Sequence, residues 1–155
     1  MSKALAFEKV VIACDHAGFA LKERLKKRLA KAGIEFEDLG TLSNDSVDYP
    51  DYAQKAAGWV EKGRNIAGIL ICGTGIGMCI SANRCRGVRA AACWNVKIAK
   101  LTREHNDANV LCIGARVIKA GDAEKIMLAF LATWFRNEER HLRRIKKIDS
   151  QGAMG

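Results

Sequence analysis

The stretch Ala67-Gly68-Ile69-Leu70-Ile71-Cys72-Gly73-Thr74-Gly75-Ile76-Gly77 decides the fold. Its first half is apolar without interruption, and its second half places a glycine at every other position. A short continuous apolar run reads as a strand buried on both faces, and such strands belong to parallel sheets covered by helices. The glycines end the strand in a tight connection, with a helix expected to begin near Gly77.

The same pattern repeats along the chain. Besides Ala67 to Cys72, strands are read at Val10 to Cys14, Ile34 to Asp38, Arg89 to Cys93 and Asn109 to Gly114. Between the first two, Leu21, Leu25 and Leu29 form one stripe of a helix over Phe19 to Ala32, with Lys22, Lys26 and Lys27 pointing largely elsewhere. Pro50 suits the first turn of a helix covering Tyr52 to Val60. Ala123, Ile126, Met127, Phe130 and Trp134 recur at helical spacing, and Glu138 to Asp149 reads as a charged final helix. Apolar strands alternating with helical patterns predict an α/β protein with a five-stranded parallel sheet between two helical layers. One domain over residues 1–149, followed by a flexible tail at 150–155, is expected.

The N-terminal sequence lacks the apolar stretch of a signal peptide, and no later run approaches the length of a membrane helix. A soluble cytoplasmic protein with no membrane partner is therefore expected. The six cysteines read as reduced thiols, because the chain has an ample core and no export signal. There is no C-x-x-C pair and the three histidines are scattered, so no metal is expected. A formal charge of +9 raises the possibility of a nucleic-acid partner. The excess, however, falls in Lys22 to Lys31 and Arg136 to Lys147, which read as faces of amphipathic helices, and aromatic residues are too sparse for a stacking platform.

In a parallel sheet the chemistry gathers at the carboxyl ends of the strands. Cys14-Asp15-His16, the Cys72 to Gly77 loop and Trp94-Asn95 stand at such ends, while His105-Asn106-Asp107 stands just before the fifth strand. Gly73, Gly75 and Gly77 let several backbone N–H groups converge on one anion, or simply make a tight turn. The spacing departs from a dinucleotide fingerprint and no Gly-Lys-Ser/Thr follows for a P-loop. Cys72 before a helix N-terminus reads as a base or nucleophile, or as a small buried hydrophobe; the latter suits Cys79, Cys85, Cys93 and Cys112. Asp15 and His16 line a pocket, or Asp15 caps the next helix. His105 to Asp107 is either functional or a polar turn. Arg140 and Arg144, four apart, either clamp a phosphate or form a solvated face.

Taken together, Ala13-Cys14-Asp15-His16-Ala17-Gly18, Asp48-Tyr49-Pro50, Ile71 to Gly77, Ala82-Asn83, Arg103-Glu104-His105-Asn106-Asp107-Ala108-Asn109, Gly114-Ala115-Arg116 and Arg140-His141 with Arg144 resemble the type B ribose-5-phosphate isomerase family and the related galactose-6-phosphate isomerase subunits. The resemblance runs from Val10 to about Ile148. It implies a Rossmann-like domain, working as a homodimer or a tetramer, that interconverts ribose 5-phosphate and ribulose 5-phosphate in the pentose phosphate pathway. It also implies pockets shared between subunits and no cofactor.

By resemblance, Cys72 matches the proton-abstracting base, Thr74 a hydroxyl near the reacting oxygens, and Gly73, Gly75 and Gly77 the enediolate cradle. Asp15 matches an oxygen-contacting acid and His105 the group that helps open the furanose ring. Asn106 matches a ligand of a sugar hydroxyl, Tyr49 a pocket wall, and His16, Arg116, Arg140 and Arg144 the phosphate ligands. A second branch of the family carries a glutamate base where this chain has Met78, which places the chain in the cysteine branch. Two rivals stand beside this reading: an isomerase for allose 6-phosphate, galactose 6-phosphate or a tetrose phosphate, and a non-catalytic basic module that binds nucleic acid.

Overall fold

The computed structural model describes residues 4–151. Its elements follow the order β1 (Lys9–Cys14), α1 (Phe19–Lys31), β2 (Phe36–Asp38), α2 (Tyr49–Lys62), β3 (Ile66–Cys72), α3 (Ile76–Ala82), β4 (Ala90–Ala92), α4 (Val96–Asn106), β5 (Val110–Gly114), α5 (Ala120–Ala132) and α6 (Glu139–Gln151). All five strands pair in parallel, in the order β2-β1-β3-β5-β4.

Alternation along the central strands builds two cores. Val10, Ile12, Ile69, Ile71, Leu111 and Ile113 face one layer, which α1, α4 and α5 supply. Val11, Ala13, Leu70, Cys72, Val110 and Cys112 face the other, supplied by α2 and α3. This is the expected α/β/α sandwich. Its burial is thorough: Leu25 and Leu29 of α1 are completely enclosed, and each contributes on the order of 2 kcal/mol by leaving water.

Strand order fixes where the chemistry can sit. The chain leaves β1 for β2 on one side and returns through β3 on the other, so the connection reverses between β1 and β3. The helix after β1 covers one face and the helix after β3 covers the opposite face. Their connecting loops diverge, which opens a crevice at the carboxyl ends of these two strands.

Several expectations change in detail. Lys22 does not point away from the buried stripe: it is 0% exposed, and its Nζ donates to Asp38 Oδ1 at 2.5 Å. An amphipathic count places every lysine outside because it cannot foresee a buried carboxylate partner. Trp134 lies beyond the end of α5 and is exposed, since the helix stops at Ala132. Pro50 does sit in the first turn of α2, which starts earlier than expected, at Tyr49. Ser150 and Gln151 continue α6, while residues 152–155 of the expected tail lie outside the described residues.

Candidate active site

At the end of β3 the Cys72 side chain is 4% exposed, and the Gly75 N–H donates to its Sγ at 3.2 Å. Gly75 makes this contact possible by taking a left-handed conformation at φ +79°. A side chain there would also meet the Ile113 carbonyl carbon at 2.9 Å. Thr74 Oγ1 accepts from the Ile76 N–H at 3.2 Å, so the hydroxyl stands at the start of α3. With only seven residues α3 carries little macrodipole; the individual N–H groups of the loop are what meet the sulfur and the hydroxyl.

The other carboxyl-edge residues gather around this loop. Arg116, which follows β5, donates its backbone N–H to Gly73 O at 2.9 Å, and its guanidinium lies 3.1 Å from where a Gly73 Cβ would stand. The Tyr49 ring lies 2.8 Å from the corresponding position at Gly77, so the absence of a side chain there admits the ring. Asp15 is buried; its N–H donates to Ile71 O at 3.1 Å, which sets it beside Cys72. Its Oδ1 accepts from the Gly18 N–H at 3.1 Å, so Asp15 both lines the crevice and caps the turn leading to α1. His16 Nδ1 accepts from the Val47 N–H at 3.2 Å, which leaves Nε2 as the ring's N–H.

The second group of expected residues lies elsewhere. α4 runs from the carboxyl end of β4 back to the amino end of β5, carrying His105 and Asn106 to the opposite edge of the sheet. Arg89, just before β4, marks that edge: its Nε donates to Asn106 O at 3.1 Å. β5 separates the edges by about 13 Å, at roughly 3.3 Å per residue. α6 packs beside α4, stacking His141 on His105, and Arg89 Nη1 pairs with Asp149 at 3.1 Å. Arg140 pairs with Glu138 at 2.9 Å, whereas Arg144 has no carboxylate partner among the described residues. One chain therefore brings together Cys72, Thr74, the three loop glycines, Asp15, His16, Tyr49 and Arg116, but not His105, Asn106, Arg140 and Arg144.

The remaining thiols sort by environment. Burial pushes Cys14 and Cys93 up to about 12 and raises Cys112 well above its ordinary value, which keeps them protonated and suited to packing. Cys79 differs: its Sγ donates to the Ala90 carbonyl at 3.3 Å, and the neighbouring Cys112 thiol brings it down to about 7 against the opposing effect of burial. Cys79 packs against the α2/α3 core, as expected, while its neighbour Cys112 lies on β5, which no sequence spacing reveals. Met78 is completely buried in the α2/α3 core, so the position of the alternative carboxylate base holds packing here. Among the described residues no group of His, Cys, Asp and Glu is arranged to hold a metal ion.

The family model described as Ribose/Galactose Isomerase matches residues 10–148. Ribose-5-phosphate isomerase B of Escherichia coli is 42% identical over 141 residues, which cover 91% of this chain and 94% of that one. A putative sugar phosphate isomerase of Bacillus subtilis is 48% identical, over 90% of this chain and 94% of its own. Among solved structures, ribose-5-phosphate isomerase B of Clostridium thermocellum superposes with a TM-score of 0.91 at 43% identity, covering 94% of this chain and 97% of that one. The Thermotoga maritima ribose 5-phosphate isomerase gives 0.88 at 51% identity, covering 92% and 97%.

Proposed function

Because the chain belongs to the ribose/galactose isomerase family, we propose that it interconverts ribose 5-phosphate and ribulose 5-phosphate as an aldose-ketose isomerase. The observation that carries the reading is Cys72, buried at the end of β3 with its sulfur held by a glycine-loop amide. Moving a carbonyl from C1 to C2 requires a base for the C2 proton and donors for the charge that then appears on oxygen.

In this reading the Cys72 thiolate takes the proton from C2 of the open-chain aldose. The electron pair of that C–H bond forms the C1=C2 bond of an enediolate, and the negative charge moves to O1. Amides of the Gly73 to Gly77 loop receive that charge, and Asp15 and Thr74 stand beside the two oxygens. The hydroxyl proton of O2 passes to O1, the Cys72 proton returns to C1, and the carbonyl is left at C2. His16 and Arg116 hold the phosphate from the carboxyl edge, and Tyr49 walls the sugar.

His105, Asn106, Arg140 and Arg144 enter from a second copy of the chain. The length of β5 keeps them from their own chain's Cys72. His105 then assists ring opening, Asn106 binds a sugar hydroxyl, and the two arginines complete the phosphate site. A homodimer, alone or doubled into a tetramer, satisfies this division. We place the reaction in the cytoplasm; no described helix is long and apolar enough to cross a membrane.

The test is conversion of ribose 5-phosphate by the purified protein in deuterated water, after exhaustive chelation. Ketose formation with deuterium entering the sugar is expected. Turnover that is lost on chelation and restored by metal overturns the metal-free mechanism, and preference for a hexose or tetrose phosphate corrects the substrate. Salt-sensitive nucleic-acid binding without isomerisation returns the chain to the binding-module reading.

A further inference from the structure

The most deeply buried cation among the described residues touches none of the groups assigned above. Lys22, one turn into α1, is 0% exposed and donates to Asp38 Oδ1 at 2.5 Å; Lys26 binds the other oxygen of Asp38 at 2.7 Å. Enclosing an ammonium is tolerated only when a partner and hydrogen bonds replace water, so the pair is a costly choice for a position that leucine could fill. Both hydrogen bonds hold the Asp38 carboxyl below its usual range, against the opposing effect of burial.

The consequence of the pair lies along the backbone. Asp38 Oδ1 also accepts from the Gly40 N–H at 3.0 Å. Gly40 in turn brackets Cys14: its carbonyl accepts from the Cys14 N–H at 2.8 Å, and the Thr41 N–H donates to Cys14 O at 2.9 Å. Gly40 sits at φ +96° with the Tyr52 ring 2.9 Å from where a Cβ would stand, so the turn is fixed from a second side. Cys14 immediately precedes Asp15 and His16. The segment that leaves Thr41 comes back at Val47, whose N–H binds His16. The stretch anchored by Asp38 thus grips Cys14 to His16 from both ends.

We propose that the buried Lys22–Asp38 pair is a positioning element for the site, acting through Gly40 and Cys14 to aim Asp15 and His16 without touching the sugar phosphate. The proposal rests on the isomerase reading for its kinetic consequence. Its geometric consequence, the placement of the His16 ring, is independent of turnover.

The experiment compares Lys22→Met and Asp38→Asn with the native chain. KM for ribose 5-phosphate is expected to rise about fivefold or more in each, because His16 acts on phosphate binding, and kcat is expected to fall as well, because Asp15 stands beside the reacting oxygens. The double variant should be no worse than the poorer single one, as for two residues acting as a unit. The ¹⁵N signals of the His16 imidazole, whose Nδ1 is an acceptor in the native fold, should shift in both single variants. A merely structural pair lowers melting temperature and active fraction but leaves KM and the His16 signals unchanged, and that result overturns the proposal. If Lys22→Met fails to fold, Asp38→Asn decides alone, since it keeps the side chain's shape while removing the charge that Lys22 and Lys26 hold in place beside Gly40. A native chain inactive on ribose 5-phosphate sinks the isomerase reading, while the His16 signals still decide the positioning claim.

Discussion

The imidazoles of His105, in the last turn of α4, and His141, in the first turn of α6, stack with centroids 4.5 Å apart and planes 17° from parallel. His141 is buried and its Nε2 has no hydrogen-bond partner among the described residues; Glu138 is 3.8 Å away. Burial, then the neighbouring His105 and Arg140, lower its pKa from the ordinary value of 6.5. The folded chain therefore binds this proton less readily than the unfolded chain. The contribution is complete above about pH 6.5 and is lost as pH falls toward the depressed folded value.

Melting temperature should accordingly drop as pH falls below about 6.5. His141→Phe keeps a ring on His105 and removes the unpaired nitrogen, so it should flatten that dependence and be at least as stable near pH 7. An unchanged slope in the variant would show that other groups set the acid sensitivity.

Cys72→Ala should fold and still bind substrate, because it removes one small group at the edge of a core. Exchange of the C2 proton with solvent should fall on the order of 10²–10⁴-fold. Cys79→Ala is the control, and a demanding one, since that thiol is held near 7. Near-native deuterium incorporation by Cys72→Ala would remove Cys72 from the role of base. Equal losses in both variants, with falling melting temperatures, would point to damaged packing instead.

Arg140→Ala and Arg144→Ala should chiefly raise KM, by about tenfold, as expected for loss of a charged phosphate contact. Mixing Arg140→Ala chains with Cys72→Ala chains under conditions of subunit exchange should recover activity. One pocket of the hybrid then has an intact carboxyl edge from one chain and an intact α6 from the other. No recovery despite proven exchange would mean that each pocket is built from a single chain.

Gly75→Ala and Gly77→Ala should differ in severity. At Gly75 the new methyl meets strand backbone and the φ is strained, so melting temperature and activity should both fall sharply. At Gly77 it meets the ring of Tyr49, a half-exposed side chain that can swing aside. Stability should change little there and KM should rise. The opposite order would contradict the packing described.

The sheet and its helical layers were legible because uninterrupted apolar runs such as Ile69 to Cys72 admit few other structures. Helix α4 left no comparable mark: its buried positions are Ala99, Thr102 and Arg103, so an apolar stripe never appears. Arg103 is buried because Asp107, the Ala108 carbonyl and the Phe7 ring surround it. The Asn95 side chain, which accepts from the Ile98 N–H, was the one local sign of that helix. Composition also concealed Lys22, whose partner Asp38 lies on another element. The carboxyl-edge half of the site was readable because strand ends announce themselves. That His105 lies on the far edge follows from the direction of α4, which motif spacing does not contain.

The span of β5 also has a kinetic side. If its two edges can meet only across neighbouring molecules, a solitary chain holds every necessary side chain and yet no complete pocket. Catalytic output then depends on how often chains find one another. Specific activity should fall when the protein is diluted below the dissociation constant of its subunits and recover when sugar phosphate, bridging both halves, draws the chains together.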